Sequence, residues 1–258
     1  MHPIDETNFT IKDFFFTFDG IGFSVSIPIF PDVKNLLSIE NPESLHELSQ
    51  YYLGFIQNSI QKKYLTCLLE EIRNVAKSQD DLARIAISLV QHIPYDYEKA
   101  DSLERYHSSR RIRYPYEVIS DNRGICSEKS LLLAFLLKES GFGVVLFDFN
   151  DENHMALGIQ CPEECSLYGC GYGFVETTVP SIVTDIKGDY ISSTALGIFR
   201  SKLKTYPKVI PLGNGHSFEE IYVEYFDAKE WNDIKEKHPF DEGFFFQQQI
   251  KIMQKYGL

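Results

Sequence analysis

No apolar run in the sequence approaches the ~18 residues of a membrane-spanning helix. The densest stretch, Leu131 to Leu137, is only one helix core long. The N-terminus, Met1-His2-Pro3-Ile4-Asp5-Glu6, has neither the basic nor the apolar segment of a signal peptide. A cytoplasmic protein with no membrane partner is therefore expected. Basic residues are in short supply, with 25 Lys and Arg against 37 Asp and Glu, a net charge of −12 and a pI near 5.0. Such a surface repels phosphate backbones, so no nucleic-acid partner is expected. The five cysteines are an odd number in a chain of this length, which excludes a disulfide framework. There is no internal repeat and no low-complexity segment, and nothing sets an oligomeric state.

What is present is enough for a core. At 258 residues the chain suits one large domain or a core with extensions. Hydrophobic residues at 43% and charged residues at 24% are ordinary for a globular protein. Against a single Trp stand 20 Phe and 15 Tyr, which can fill a core without covalent staples.

Phe14, Phe16 and Phe18 alternate, Asp19-Gly20 follows, and Ile21, Phe23 and Val25 alternate again. This predicts a hairpin over residues 12–27 that pairs Phe18 with Ile21 and Phe16 with Phe23, with Pro28 and Pro31 ending its second strand. Residues 42–77 read as helical, with Asn41 as N-cap and Gly54 as a weak point. A second helix spans 79–93, opened by Ser78 with Asp81 and stopped by Pro94. Residues 95–123, with Arg105, Arg110, Arg111 and Arg113, read as a long loop with short helical turns. A buried helix then runs from Cys126 towards Gly141, followed by strands at 143–149, 154–160 and 174–179. Further on, a strand is expected at 221–226 and helices at 228–237 and 243–256.

Cys126 lies where a loop becomes a buried helix, and the positive end of a helix dipole stabilises a thiolate. Alone, such a cysteine is more often an inert core residue. His154 opens a strand expected to pack on that helix, and Glu176 lies on the next strand. A cysteine at a helix start, with a histidine and an acid on two successive strands packed against it, suits a thiol nucleophile, its base and the base's orienting group. Each alternative is bland: an exposed strand-edge histidine and a solvent-facing glutamate.

These residues carry a resemblance. Val90-Gln91-His92-Ile93-Pro94-Tyr95, Arg113-Tyr114-Pro115-Tyr116-Glu117-Val118-Ile119, Gly124-Ile125-Cys126, His154-Met155-Ala156-Leu157-Gly158 and Glu176-Thr177-Thr178 resemble the transglutaminase-like core family. They resemble in particular its archaeal and bacterial branch, whose members are taken to be cysteine proteases. With the Phe-rich hairpin, the resemblance covers most of residues 9–180. It implies Cys126 as nucleophile, His154 as general base and Glu176 as the acid, which is Asp in many relatives. It makes Gln91 and Tyr95 candidate oxyanion-hole donors beside the backbone N–H of Cys126, although Gln91 could equally be a surface helix glutamine. Relatives usually carry Gly-Asp-Cys followed two residues later by Asp. Here Ile125 replaces the first acid, and Glu128 stands where the later one would be.

The fold is accordingly expected to be α+β: a papain-like, transglutaminase-like core with a central Cys-bearing helix packed on an antiparallel sheet. Residues 1–78 would form an N-terminal extension of hairpin and helix, 79–200 the catalytic core and 201–258 a C-terminal α/β extension. The expected reaction is acyl transfer from an amide of a protein or peptide substrate through a thioester, without cofactor or metal, with hydrolysis favoured. Amine acceptance by a true transglutaminase and a catalytically silent binding module are the alternatives. Cys161, Cys165 and Cys170 could be free thiols, a hairpin disulfide or, with a fourth ligand, a zinc site. The segment around Tyr114-Pro115 is expected to wall the site.

Overall fold

The structure, a computed structural model, describes residues 4–40, 42, 47–106, 111–194, 197–237 and 243–258. Strands β1 (Thr10–Phe18) and β2 (Ile21–Ile29) form the expected hairpin, with Phe18 opposite Ile21 and Phe16 opposite Phe23. Asp19 (φ 50) and Gly20 (φ 75) both adopt positive φ, as the tight turn that matches strand twist requires. Pro28 does not end β2. In a two-stranded ribbon each strand keeps an open edge, where a missing N–H breaks no ladder. Pro31 instead starts helix α1 (Pro31–Ile39).

The helix expected over 42–77 is two helices, α2 (Leu48–Ile56) and α3 (Ser59–Val75). The break falls at Asn58, not Gly54, because the Asn58 carboxamide oxygen accepts from the backbone N–H of Ile60 and Gln61 (3.0 and 3.3 Å) and starts a new helix. Asn41 lies outside the described residues. Helix α4 (Gln79–His92) matches expectation, with the Ser78 hydroxyl accepting from Asp81 N–H at 3.1 Å. The expected loop at 95–123 contains α5 (Tyr97–Tyr106) and α6 (Pro115–Asp121). Helix α5 is polar overall; its start is held by Asp96 accepting from Lys99 N–H (3.0 Å). Arg110 and the side chain of Arg105 lie outside the described residues.

Helix α7 (Cys126–Glu139) is followed by β3 (Val144–Phe149), β4 (His154–Gln160) and β5 (Tyr172–Val175). Then come the pair β6 (Asp189–Thr194) and β7 (Gly197–Lys202), strand β8 (Lys208–Gly213), and helices α8 (Tyr222–Lys237) and α9 (Phe244–Tyr256). The main sheet has the order β5-β4-β3-β8 and is antiparallel throughout. The fold is α+β. One sheet face, with Leu146, Leu157 and Ile159, shares a core with Leu131–Leu137 of α7. The other face carries Val145, Phe147, Ala156 and Phe174.

Two expected strands change. The strand at 174–179 stops at Val175, because the N–H groups of Thr177 and Thr178 turn to the Glu176 carboxylate instead of a ladder. The strand expected at 221–226 lies instead in a 3-10 turn (Glu219–Ile221) and the opening turns of α8, where Glu224 binds Arg84. Strand β8, beyond the boundary expected at residue 200, is the fourth strand of the main sheet. No helix among the described residues is long and apolar enough to cross a membrane. Replacing the cap, Asn58→Ala, is expected to lower stability by about 1 kcal/mol in urea denaturation.

Candidate active site

Cys126 is the first residue of α7, and that helix start is held by one carboxylate. Glu128 is fully buried and accepts from Ile125 N–H (3.1 Å) and Arg113 N–H (2.9 Å). It also pairs with the Lys99 ammonium and the Arg113 guanidinium (3.3 Å). Arg113 in turn donates to Asp96 at 2.6 Å. The acid expected near the nucleophile is thus absent at Ile125, but Glu128 centres a polar network of its own. Ile125 packs with Tyr95, Ala100 and Ile191 as an apolar wall.

His154 is the first residue of β4. Strand alternation groups it with Ala156, on the sheet face away from α7, but it sits at the end of the sheet and lines the same cavity as Cys126. Its Nε2 is 2.9 Å from Glu176 Oε2. The other Glu176 oxygen accepts from Thr177 N–H (2.9 Å), Thr178 N–H (2.8 Å) and the Thr178 hydroxyl (2.7 Å). Thr178 Oγ1 also accepts from Ile191 N–H (3.1 Å), which docks β6. Tyr190 of β6 covers the imidazole, ring centroids 4.1 Å apart. His154 Nδ1 is buried and has no hydrogen-bond partner among the described residues.

Burial works against the imidazolium, but the Glu176 charge and the interactions with Cys126 and Glu176 outweigh it and push His154 up to about 10. Burial works against the Glu176 carboxylate as well, and the His154 charge and the Thr178 donors bring it below its ordinary range.

Behind the pair lies Lys129, one turn along α7 from Cys126 and fully buried. Its ammonium donates to the carbonyls of Ile93 (2.6 Å), Gln91 (3.2 Å) and Thr178 (3.4 Å). Three donors meeting three acceptors suit the charged form. Burial pushes it down to about 7, with Glu176 opposing. Gln91 belongs to this buried layer and not to the cavity. Its amide donates both hydrogens, to the carbonyls of Glu176 (2.8 Å) and Ser181 (3.0 Å), so none is left for an oxyanion. Tyr95 does line the cavity, and its hydroxyl has no hydrogen-bond partner among the described residues. Burial, then the charge of Cys126, holds that phenol firmly protonated.

The cavity beside Cys126 measures about 310 Å³. Leu103 and Ile112, from the segments flanking the undescribed stretch, line one side, while Tyr114 and Tyr116 are core. A second cavity of about 250 Å³ lies on the far side of α4. There Arg84 is already bound by Glu224 (2.6 Å) and Glu220 (3.0 Å), and no cysteine is among the described lining residues. Cys161, Cys165 and Cys170 are free thiols, as is Cys67. Burial pushes Cys161 up to about 12 and raises Cys67 and Cys165, so these thiols are poor nucleophiles.

Sequence reasoning missed Lys129, Thr178 and Tyr190. The available signal was Lys129 itself, a charge in a helix apolar on most sides.

The His154–Glu176 pair has a defined pH signature. The raised histidine contributes stability that is full below its ordinary 6.5 and is lost as pH rises towards about 10. The depressed glutamate contributes above its ordinary 4.5 and loses that as pH falls below it. The stability gap between wild type and His154→Ala, followed by urea denaturation, should therefore be widest between 4.5 and 6.5 and shrink on both sides.

Residues 63–164 match the family model described as a transglutaminase-like domain. The match takes in Cys126 and His154 and ends before Glu176. No curated protein and no solved structure matches the chain. From α3 to the loop after β4, the chain is similar to a transglutaminase-like domain.

Proposed function

We propose that the protein is a cysteine-dependent acyl-transfer enzyme acting on an amide bond of a protein or peptide in the cytoplasm, with Cys126, His154 and Glu176 as its triad. One observation carries the reading: Glu176 engages His154 Nε2 at 2.9 Å, leaving the buried, unpartnered Nδ1 to a ring that shares Cys126's cavity. A Cys-bearing helix start meeting a histidine at the end of an antiparallel sheet is the arrangement expected of a papain-like core.

The chemistry follows from these roles. The Cys126 thiolate attacks the amide carbon, and the carbonyl π electrons move to oxygen. The backbone N–H of Cys126 and the Tyr95 hydroxyl are the donors proposed for that oxyanion. As it collapses, the C–N bond breaks and the His154 imidazolium gives its proton to the departing amine. Neutral His154 then takes a proton from water, whose oxygen attacks the thioester and releases the acid and the thiolate. An amine in place of water gives transamidation by the same steps, so water and amine acceptors belong in one assay.

Ile125, in place of the acid relatives carry, favours a second reading, a silent binding module on the same scaffold. A peptide-library turnover assay separates them. Wild type should release amine, and Cys126→Ala should fall to background. Tyr95→Phe should lower kcat by about 10²-fold with KM little changed. A folded wild type that turns over no peptide and forms no thioester would leave the binding module in its place.

A further inference from the structure

The cavity beside Cys126 has two unlike walls. One is apolar, from Ala100, Leu103, Ile112 and Ile125. The other is polar, and its one carboxylate among the lining residues is Asp148. Alternation along β3 sets Asp148 on the α7 face with Val144 and Leu146, opposite Met155 of β4. That is a position where another aliphatic residue would simply continue the core. The half-buried carboxylate makes no hydrogen bond or salt bridge to a described residue. Burial raises its pKa, and the opposing charge is that of the exposed Lys208, its neighbour on β8.

The surrounding charges leave Asp148 uncompensated. No described lysine or arginine lines the cavity. The one cationic group among the described lining residues, the His154 imidazolium, is already paired with Glu176 at 2.9 Å. Tyr52, Asp148 and Cys126 all line this one cavity. At net −12 the whole molecule also draws cations inward.

We propose that Asp148 is a specificity-determining residue that selects acyl donors with a cationic group, a lysine or arginine side chain or a terminal ammonium, beside the scissile carbonyl. The opposite wall takes an apolar flank of the same substrate. This rests on the acyl-transfer reading, since it names that site's substrate class. A neutral or anionic substrate would leave the half-buried Asp148 carboxylate without a counter-charge or would repel it.

The test reads charge selection with and without turnover. Wild type and Asp148→Asn, an isosteric change that removes no hydrogen bond, are treated with 2-bromoethylamine, iodoacetamide and iodoacetate. Modification of Cys126 is followed by peptide mass mapping. The variant should react roughly tenfold more slowly with the cationic reagent relative to the neutral one, and faster with the anionic one. The preference for Lys-flanked over Glu-flanked peptides should fall by about the same factor. Asp148→Ser repeats both measurements should the first variant not fold. Unchanged reagent ratios in a folded variant overturn the proposal. Shifted ratios without peptide turnover by wild type support charge selection and reject the acyl-transfer reading. Turnover with unchanged ratios rejects Asp148 alone.

Discussion

Glu176 is a carboxylate taken out of water, and the arrangement around Cys126 depends on how its charge is met. One oxygen faces His154, and three donors from Thr177 and Thr178 hold the other. A buried carboxylate without such partners would neutralise instead. Once satisfied, it does two things to His154. It fixes which ring nitrogen faces inward, and it makes the imidazolium the favoured form despite burial. The loop that carries Glu176 cannot drift, because Gln91 holds its carbonyl, Lys129 holds that of Thr178, and Ser130 reaches Thr177 at 3.1 Å.

A second carboxylate does for Cys126 what Glu176 does for His154. Glu128 ties the start of α7 to the segment before α6 through Ile125 and Arg113. Breaking such a buried pair by removing one partner typically destabilises by about 3–5 kcal/mol. Lys129 lies between the two systems and is one helical turn from Cys126. Helix α7 therefore carries Cys126, the Glu128 anchor of its own start and the Lys129 clamp on the Glu176 loop within four residues, 126–129. The absence of an acid at Ile125 leaves this frame intact and turns one wall of the cavity apolar.

Much of this was legible where the determinants are local. Asp19-Gly20 specified the hairpin, Ser78 and Pro94 bounded α4, and Cys126 marked the start of α7. Long-range determinants were not legible. The Gln91 amide points at Glu176 and Ser181 because α4 backs onto that loop, a fact its helical position does not encode. Helix α5 is polar overall, with Tyr97, Ala100 and Leu103 as a thin stripe among charged residues, and Pro211 within β8 disguises an edge strand. The residues from Ile221 to Phe226 have strand-like composition, but Glu224 is drawn to Arg84 and helical packing prevails. Tyr190 covers His154 only because β6 docks through Thr178.

The central claim is that Glu176 holds His154 as a buried imidazolium. Nitrogen-15 NMR of the imidazole, followed through a pH titration, tests it directly. The account predicts both ring nitrogens protonated at neutral pH, with the proton lost near about 10. A single neutral tautomer at neutral pH, titrating near the ordinary 6.5, would contradict it.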